Sequence, residues 1–291
     1  MIYVNRTNVN RFFQRKKRLA RNNNEERREV MKYKILPFTA LVLGISILFA
    51  VAAFASSQSF NSWYCKRMKD HLRPLLDSPM AYIKELGGYY IDEKVTDDSN
   101  DKVVYLTFDA GYENGNVSRV LDTLKEQEVP GAFFVLGNLI ENNGELIKRM
   151  GDEGHLVCNH TYYHKDMTRL DAEEIKLEIN SLSEAYEELT GEVMPKYFRP
   201  PEGKFDRKSL EVVNDIGYKT IFWSFAYADW DNNRQPSYEY AKKKIIDNVH
   251  NGAVILLHPT SETNASILDS VICELREMGY RFGTLDELVR S

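Results

Sequence analysis

The sequence predicts an α/β fold in which parallel strands alternate with helices, as a barrel or as a doubly wound sheet. Short runs rich in β-branched and aromatic residues alternate with segments whose apolar residues are spaced three and four apart. The 291 residues, 43% of them hydrophobic, suffice for one sizeable domain with an N-terminal appendage. No tandem repeat interrupts this pattern.

The predicted elements follow one another in a regular order after residue 100. Strands are expected at residues 103–108, 132–136, 155–158, 197–199, 220–223 and 253–257. Helices are expected between and after them, at residues 117–127, 144–154, 172–189, 207–216, 238–249 and 266–278. Residues 56–100 contain Pro74, Pro79 and a polar run, and we interpret them as an extension or linker before the main domain, residues 101–291.

An apolar segment near the N-terminus predicts entry into a membrane. Residues 35–55 carry no charge and follow Lys32 and Lys34, as in an export signal or a membrane anchor. Ala53 and Ala55 before Ser56 are small residues at the positions that a signal peptidase reads, so a cleaved signal peptide and a retained anchor both fit residues 31–55. We therefore expect export across the cytoplasmic membrane, to the cell wall space or tethered to the membrane.

The first thirty residues are polar, rich in Arg and Asn, and lack apolar periodicity. We expect them to be unstructured, or to lie upstream of a true start at Met31, because the residues that follow Met31 would form a normal export signal by themselves.

Charge is distributed unevenly along the chain. Residues 1–55 hold eleven Lys and Arg against three Glu, so the remainder carries 27 basic and 40 acidic side chains, a balance of −13. Nucleic acid needs a basic surface, so the main domain is not expected to bind it.

Polar residues of catalytic character lie at the carboxyl ends of the predicted strands: four follow a strand and one closes its strand. Asp109, His160, Asp229 and His258 follow predicted strands, and Arg199 is the last residue of one. In a parallel barrel the carboxyl ends of the strands share one face, where active sites assemble. Each residue also has an ordinary structural interpretation: an Asp before Gly forms turns, and a His after a buried strand packs in a core.

His160 and His164 are spaced so that a helix would place both imidazoles on one face, which suits a divalent cation such as zinc. Two such histidines are as often surface or packing residues. Residues 199–203 (RPPEG) are more unusual, because two prolines after Arg199 fix the backbone.

Five segments in order, residues 107–111 (TFDAG), 160–164 (HTYYH), 199–203, 229–230 (DW) and 256–258 (LLH), resemble the motifs of the polysaccharide deacetylases, or NodB homology domain. The resemblance covers roughly residues 103–288 and implies a distorted (β/α) barrel as the catalytic domain. Residues 111–116 (GYENGN), Phe222 to Ser224, and Ser261 and Asn264 after His258 are similar to the branch that de-N-acetylates muramic acid to make muramic δ-lactam in the spore cortex.

The resemblance also implies roles for individual residues. Asp109 would be the general base, held by Arg199, and His258, paired with Asp229, would protonate the leaving amine. His160 and His164 would bind the metal. The substrate-binding residues would be Glu202, through its backbone N–H, Trp230 beside the acetyl group, and Tyr112.

The sequence departs from the family pattern at two positions. Ala110 stands where most members have an acidic third metal ligand, so we expect a weakly bound, exchangeable divalent cation, zinc or another. Glu202 stands where many members have Tyr, which matters little if only the backbone N–H acts.

We therefore expect hydrolytic de-N-acetylation of N-acetylmuramic acid in peptidoglycan glycan strands. One alternative is a deacetylase of another N-acetylated glycan, such as an N-acetylglucosamine polymer. Another is a catalytically silent glycan-binding domain, against which the retention of both Asp109 and His258 argues.

Overall fold

The computed structural model describes residues 60–290, which form one compact unit. The predictions for residues 1–30 and for the apolar segment 35–55 lie outside the described residues. Within residues 60–290, no helix combines the length and the apolar composition that crossing a bilayer requires.

A curled parallel sheet with helices packed against it forms the centre of the fold. Its strands are β2 (Gly88–Tyr89), β3 (Lys102–Ala110), β4 (Ala132–Val135), β5 (Leu156–Asn159), β6 (Tyr197–Phe198), β8 (Lys219–Ile221), β9 (Ala253–Leu257) and β10 (Tyr280–Phe282). They run in the order β10-β3-β4-β5-β6-β8-β2, and β9 also pairs with β3. The chain continues past β8 and bonds to β9, with Ser224 N–H donating to Val254 O at 2.9 Å and Leu256 N–H to Phe225 O at 2.9 Å. The parallel α/β architecture is confirmed.

Helices follow the strands and cover the outside of the sheet. They are α1 (Tyr82–Glu85), α2 (Asn116–Glu126), α3 (Gly137–Asn142), α4 (Gly144–Asp152), α5 (Ala172–Thr190), α6 (Arg207–Asp215), α7 (Tyr238–Ile246), α8 (Glu262–Glu277) and α9 (Leu285–Val289). Sequence signals set their ends: a capping box of Asp171 and Glu174 starts α5, and Gly191, with φ of 76°, ends it.

Strand β3 separates two apolar layers. Val104, Leu106 and Phe108 belong to the cluster between sheet and helices, whereas Val103 and Tyr105 belong to the cluster enclosed by the curled sheet. Alternate side chains of a strand point to opposite faces, so Asp109 continues the inner row. Ala110, fully buried, belongs to the outer cluster.

Residues N-terminal to β3 pack onto the same unit. Strand β1 (Asn61–Ser62) pairs antiparallel with β7 (Lys204–Phe205), which directly follows a short 3₁₀ turn at Pro201–Gly203. Met80, Ile83, Tyr90 and Ile91 are buried in a cluster that also contains Phe222. The segment interpreted as an extension or linker therefore contributes apolar residues to the core.

Candidate active site

Arg199 is completely buried and holds Asp109 at the mouth of the curled sheet. Its Nη1 donates to Asp109 Oδ1 at 2.8 Å, its Nη2 to Thr107 Oγ1 at 2.9 Å, and its Nε to Ile221 O at 2.9 Å. Burial alone would raise the pKa of Asp109, but Arg199, with smaller contributions from His160 and His258, lowers that pKa below its usual value. Asp109 is therefore a carboxylate at neutral pH, oriented by a fixed cation.

His160 and His164 lie close together, but the helix invoked from their spacing is absent. Thr161 and His164 have φ of 71° and 57°, so the segment is an irregular loop, and this loop places the two ring centroids 5.0 Å apart. Burial lowers the pKa of His160 to about 4, partly opposed by Asp109, and burial also lowers the pKa of His164. Both rings are therefore neutral imidazoles at neutral pH, the form that binds metals.

The donor set fits a divalent cation with two imidazole ligands. His160 Nδ1 donates to Arg199 O at 2.8 Å, which leaves the lone pair on Nε2, 3.6 Å from Asp109 Oδ2. A backbone carbonyl bonded to the second ring nitrogen is the usual support of a metal-ligating His. Among residues 60–290, no cluster of three or more His, Cys, Asp or Glu is arranged to hold a metal.

The side chain of Ala110 explains why the third ligand is missing. Ala110 packs in the layer between sheet and helices, on the opposite face of β3 from Asp109. It offers no donor atom, and its methyl group fills apolar space. The cation that these residues fit would have two protein imidazoles, with other positions open to water or substrate.

His258 and Asp229 form a second acid–base pair. Asp229 Oδ1 accepts from His258 Nδ1 at 2.7 Å, while Oδ2 accepts from His258 N–H at 2.9 Å and from Asn264 Nδ2 at 2.6 Å. Asn264 Nδ2 also donates to His258 O at 3.1 Å, and its Oδ1 accepts from Tyr227. Burial lowers the pKa of His258, but the hydrogen bond to Asp229 and the negative charges of Asp229 and Asp109 together outweigh it, so that pKa is raised. His258 thus keeps a proton that it can donate.

The loop after Arg199 adopts an unusual backbone. Glu202, between two prolines and a glycine, has φ of 54°, and Gly203 follows with φ of 64°. The carboxylate of Glu202 is paired with Lys204 at 2.6 Å and is exposed. Among the backbone bonds of the described residues, Gly203 N–H donates to Pro200 O at 3.0 Å, whereas Glu202 N–H has no acceptor, so it is free to donate to a ligand.

One exposed aromatic side chain, Trp230, borders the site, and a second, Tyr112, contacts the loop that follows Trp230. The Trp230 ring is 63% exposed, and its centroid lies 6.3 Å from that of His258. Tyr112 is also exposed, and its hydroxyl accepts from Asn232. These positions are open to a glycan, and the substrate-binding roles of Glu202, Trp230 and Tyr112 stay predictions.

The predicted residues therefore fall into two hydrogen-bonded groups. Asp109, Arg199 and His160 form one, with His164 beside it, and His258 and Asp229 form the other. The supporting roles of Thr107, Tyr227 and Asn264 were not predicted, because polar residues inside strands, loops and helices carry no positional signal in a single sequence.

Comparison with known proteins agrees with this geometry. Residues 96–221 match the family model described as polysaccharide deacetylase. The chain is 39% identical over 229 residues to the peptidoglycan-N-acetylmuramic acid deacetylase PdaA of Bacillus subtilis, covering 78% of this chain and 85% of that protein. The solved structure of Bacillus subtilis PdaA, described as a family 4 carbohydrate esterase, matches with a TM-score of 0.74 and 38% identity over 79% of this chain and 97% of that chain. A family 4 pseudoenzyme from Bacillus anthracis matches with a TM-score of 0.61 and 29% identity, covering 65% of this chain and 66% of that chain.

Proposed function

The chain belongs to the polysaccharide deacetylase family, and from this premise we propose that it hydrolyses the N-acetyl group of N-acetylmuramic acid in peptidoglycan. The observation that carries the proposal is the presence of two oppositely charged pairs: Arg199 Nη1 lies 2.8 Å from Asp109 Oδ1 and favours the ionised carboxylate, and Asp229 Oδ1 lies 2.7 Å from His258 Nδ1 and favours the protonated imidazole. A base and an acid held in these states at one pH are what amide hydrolysis requires. A binding module has no use for both.

The reaction follows from these positions. Asp109 takes a proton from water as the water oxygen bonds to the acetamide carbonyl carbon, and Glu202 N–H donates to the oxygen that becomes negative. The C–N bond then breaks as His258 gives its proton to the leaving amine. The products are acetate and a free amino sugar. The base, the oxyanion donor and the acid each contribute roughly two to four orders of magnitude to the rate.

We propose that His160 and His164 hold a divalent cation during this reaction. When bound there, the cation supplies a Lewis acid for the acetamide carbonyl. Two imidazoles without an acidic third ligand favour weak binding. A chelator is expected to lower activity, and added divalent cations are expected to restore it; full activity in excess chelator would contradict a metal role.

Acetate release tests the substrate. Peptidoglycan stripped of its peptides, intact peptidoglycan and an N-acetylglucosamine polymer are compared, with Asp109→Asn as the inactive control. Release from the stripped glycan, with free amine on muramic acid, is expected. Release only from the N-acetylglucosamine polymer would reassign the substrate, and no release from any glycan, with or without divalent cations, would favour a silent glycan-binding domain.

In cells, we propose that the product amine condenses with the lactyl carboxyl of muramic acid, with loss of one water, to give muramic δ-lactam in the spore cortex. Mass spectrometry of muropeptides from cells lacking the gene is expected to show no δ-lactam. An unchanged δ-lactam content in these cells would show that the enzyme is not needed for δ-lactam formation.

A further inference from the structure

The loop that carries Glu202 has a backbone that its own sequence does not favour. Glu202 is a non-glycine residue with φ of 54°, in the left-handed region, and Gly203 follows with φ of 64°. A non-glycine residue in this region is strained and persists only where the surrounding structure fixes it. The Glu202 N–H keeps its direction only if something outside the loop holds the backbone.

Strand β1 supplies that support from the N-terminal side. Asn61 and Ser62 pair with Phe205 and Lys204, and Trp63 N–H donates to Gly203 O at 2.9 Å. Three successive residues after Glu202 are thus held by a segment about 140 positions earlier in the chain. This segment precedes residues 96–221, the part of the chain that matches the family model.

The Trp63 side chain connects the loop to the strand that fixes Arg199. Its ring is 4% exposed and stacks on Phe222 with centroids 4.3 Å apart, and its Nε1 donates to Trp223 O at 2.8 Å. The two residues before Trp223 accept from Arg199, Ile221 O from Nε and Phe222 O from Nη2. The short segment of residues 221–223 therefore accepts hydrogen bonds both from the Arg199 guanidinium and from Trp63, which supports the loop.

Gly203 shows how closely these parts fit. A Cβ built on Gly203 would lie 2.7 Å from a Trp223 ring carbon and 3.1 Å from Trp63 Cβ. Any side chain at this position would push Trp63 and the loop apart.

We propose that Trp63 is a positioning residue of the deacetylation reaction: it fixes the Glu202–Gly203 backbone so that Glu202 N–H meets the developing oxyanion. The inference rests on the proposed function. Trp63 acts through the loop and touches no substrate. It therefore contributes to kcat and not to substrate affinity.

The test compares Trp63→Ala with Ile83→Ala in the full chain. Ile83 is completely buried in the same apolar cluster as Trp63, so its truncation is the matched control for lost packing. Removing an oxyanion donor costs 10²–10³ in kcat, and we expect the misplaced donor of Trp63→Ala to lower kcat about 10–100-fold. KM is expected to stay within about twofold, and Ile83→Ala to lower Tm without this loss of kcat.

If Trp63→Ala does not fold, Trp63→Phe and Gly203→Ala test the same proposal. Trp63→Phe retains the stack on Phe222 and loses the bond to Trp223 O, so a smaller fall in kcat is expected. Gly203→Ala is expected to lower kcat as Trp63→Ala does. An unchanged kcat in the Trp63 and Gly203 variants would overturn the proposal. So would a fall in the kcat of Ile83→Ala as large as that of Trp63→Ala, if the two variants lose equally in Tm.

Amide hydrogen exchange separates this inference from the proposed function. In Trp63→Ala, the peptide that contains residues 202–205 is expected to exchange faster than in the unsubstituted protein, with Ile83→Ala unchanged there. Unchanged exchange would refute the positioning role whatever the turnover. No acetate release by the unsubstituted protein would instead refute the function, with the exchange result standing.

Discussion

Asp109 and His258 differ in the environment that their partners create. Asp109 lies against the completely buried Arg199, whereas His258 lies against the carboxylate of Asp229. Catalysis needs Asp109 negative and His258 positive, and each has a partner of opposite charge. The partners therefore keep the base Asp109 ionised and the acid His258 protonated over the same pH range.

Asp109→Asn separates charge from shape at this position. Asn can still accept from Arg199 but cannot take a proton, so turnover is expected to fall at least about 100-fold. Arg199 also loses its counter-ion, and we expect the free energy of unfolding to fall by about 1–3 kcal/mol. Acetate release measures the turnover, and urea unfolding measures the stability. Asp122 is an exposed partner of Arg149, so Asp122→Asn is the control and is expected to change neither turnover nor stability.

Asn264→Ala is expected to move the alkaline limb of the kcat–pH profile. The pKa of His258 is raised above its ordinary 6.5, so the protonated acid persists above that pH and kcat falls as pH rises through the raised pKa. Without Asn264, Asp229 loses one of the donors that offset its negative charge, so it stabilises protonated His258 more strongly, which raises the pKa of His258 and shifts the limb to higher pH. Thr263→Ala, which loses only a bond to Pro236 O, is the control. A profile unchanged in Asn264→Ala would contradict the role of this amide.

At the scale of elements, the central strands and helices could be predicted because their patterns are local. All six predicted strands and all six predicted helices are present within a few residues of their expected bounds. The closeness of His160 and His164 was predicted from helical spacing, yet it arises from positive φ at Thr161 and His164. The contacts of Asn264 could not be predicted, because they depend on how the start of α8 meets the loop after β8.

The first turn of α8 gives a test at this scale. Ser261 caps the helix by accepting from Asn264 N–H at 3.1 Å, so it fixes the turn that presents the Asn264 amide. Ser261→Ala is expected to lower the free energy of unfolding by about 1 kcal/mol. Ser266→Ala, at a half-buried position of the same helix, loses only exposed bonds to Arg119 and Glu262 and should change stability by less than about 0.5 kcal/mol. Urea titrations of the two variants measure the difference, and equal stabilities would contradict the capping role.

At the scale of the whole molecule, we propose that the catalytic unit acts outside the cytoplasmic membrane, because its substrate lies there and residues 35–55 suit export. The protein is expected in the membrane or wall fraction of cells. A mature N-terminus at Ser56 would indicate cleavage, and retention of residues 35–55 would indicate an anchor. Recovery only from the cytosol would contradict export, and a peptide containing Asn8 or Phe12 would exclude a start at Met31.

The bonds of Arg199 also make turnover a measure of folding. Its side chain, which lies just after β6, bonds to Thr107 in β3, to Ile221 at the end of β8 and to Phe222, so we expect the Asp109–Arg199 group to stay intact while these strands stay assembled. In a urea titration, the loss of acetate release and the loss of far-UV circular dichroism are therefore expected to share one midpoint. Activity lost at a clearly lower urea concentration would show that the site melts by itself. With a shared midpoint, the rate of acetate release counts the folded molecules in a sample.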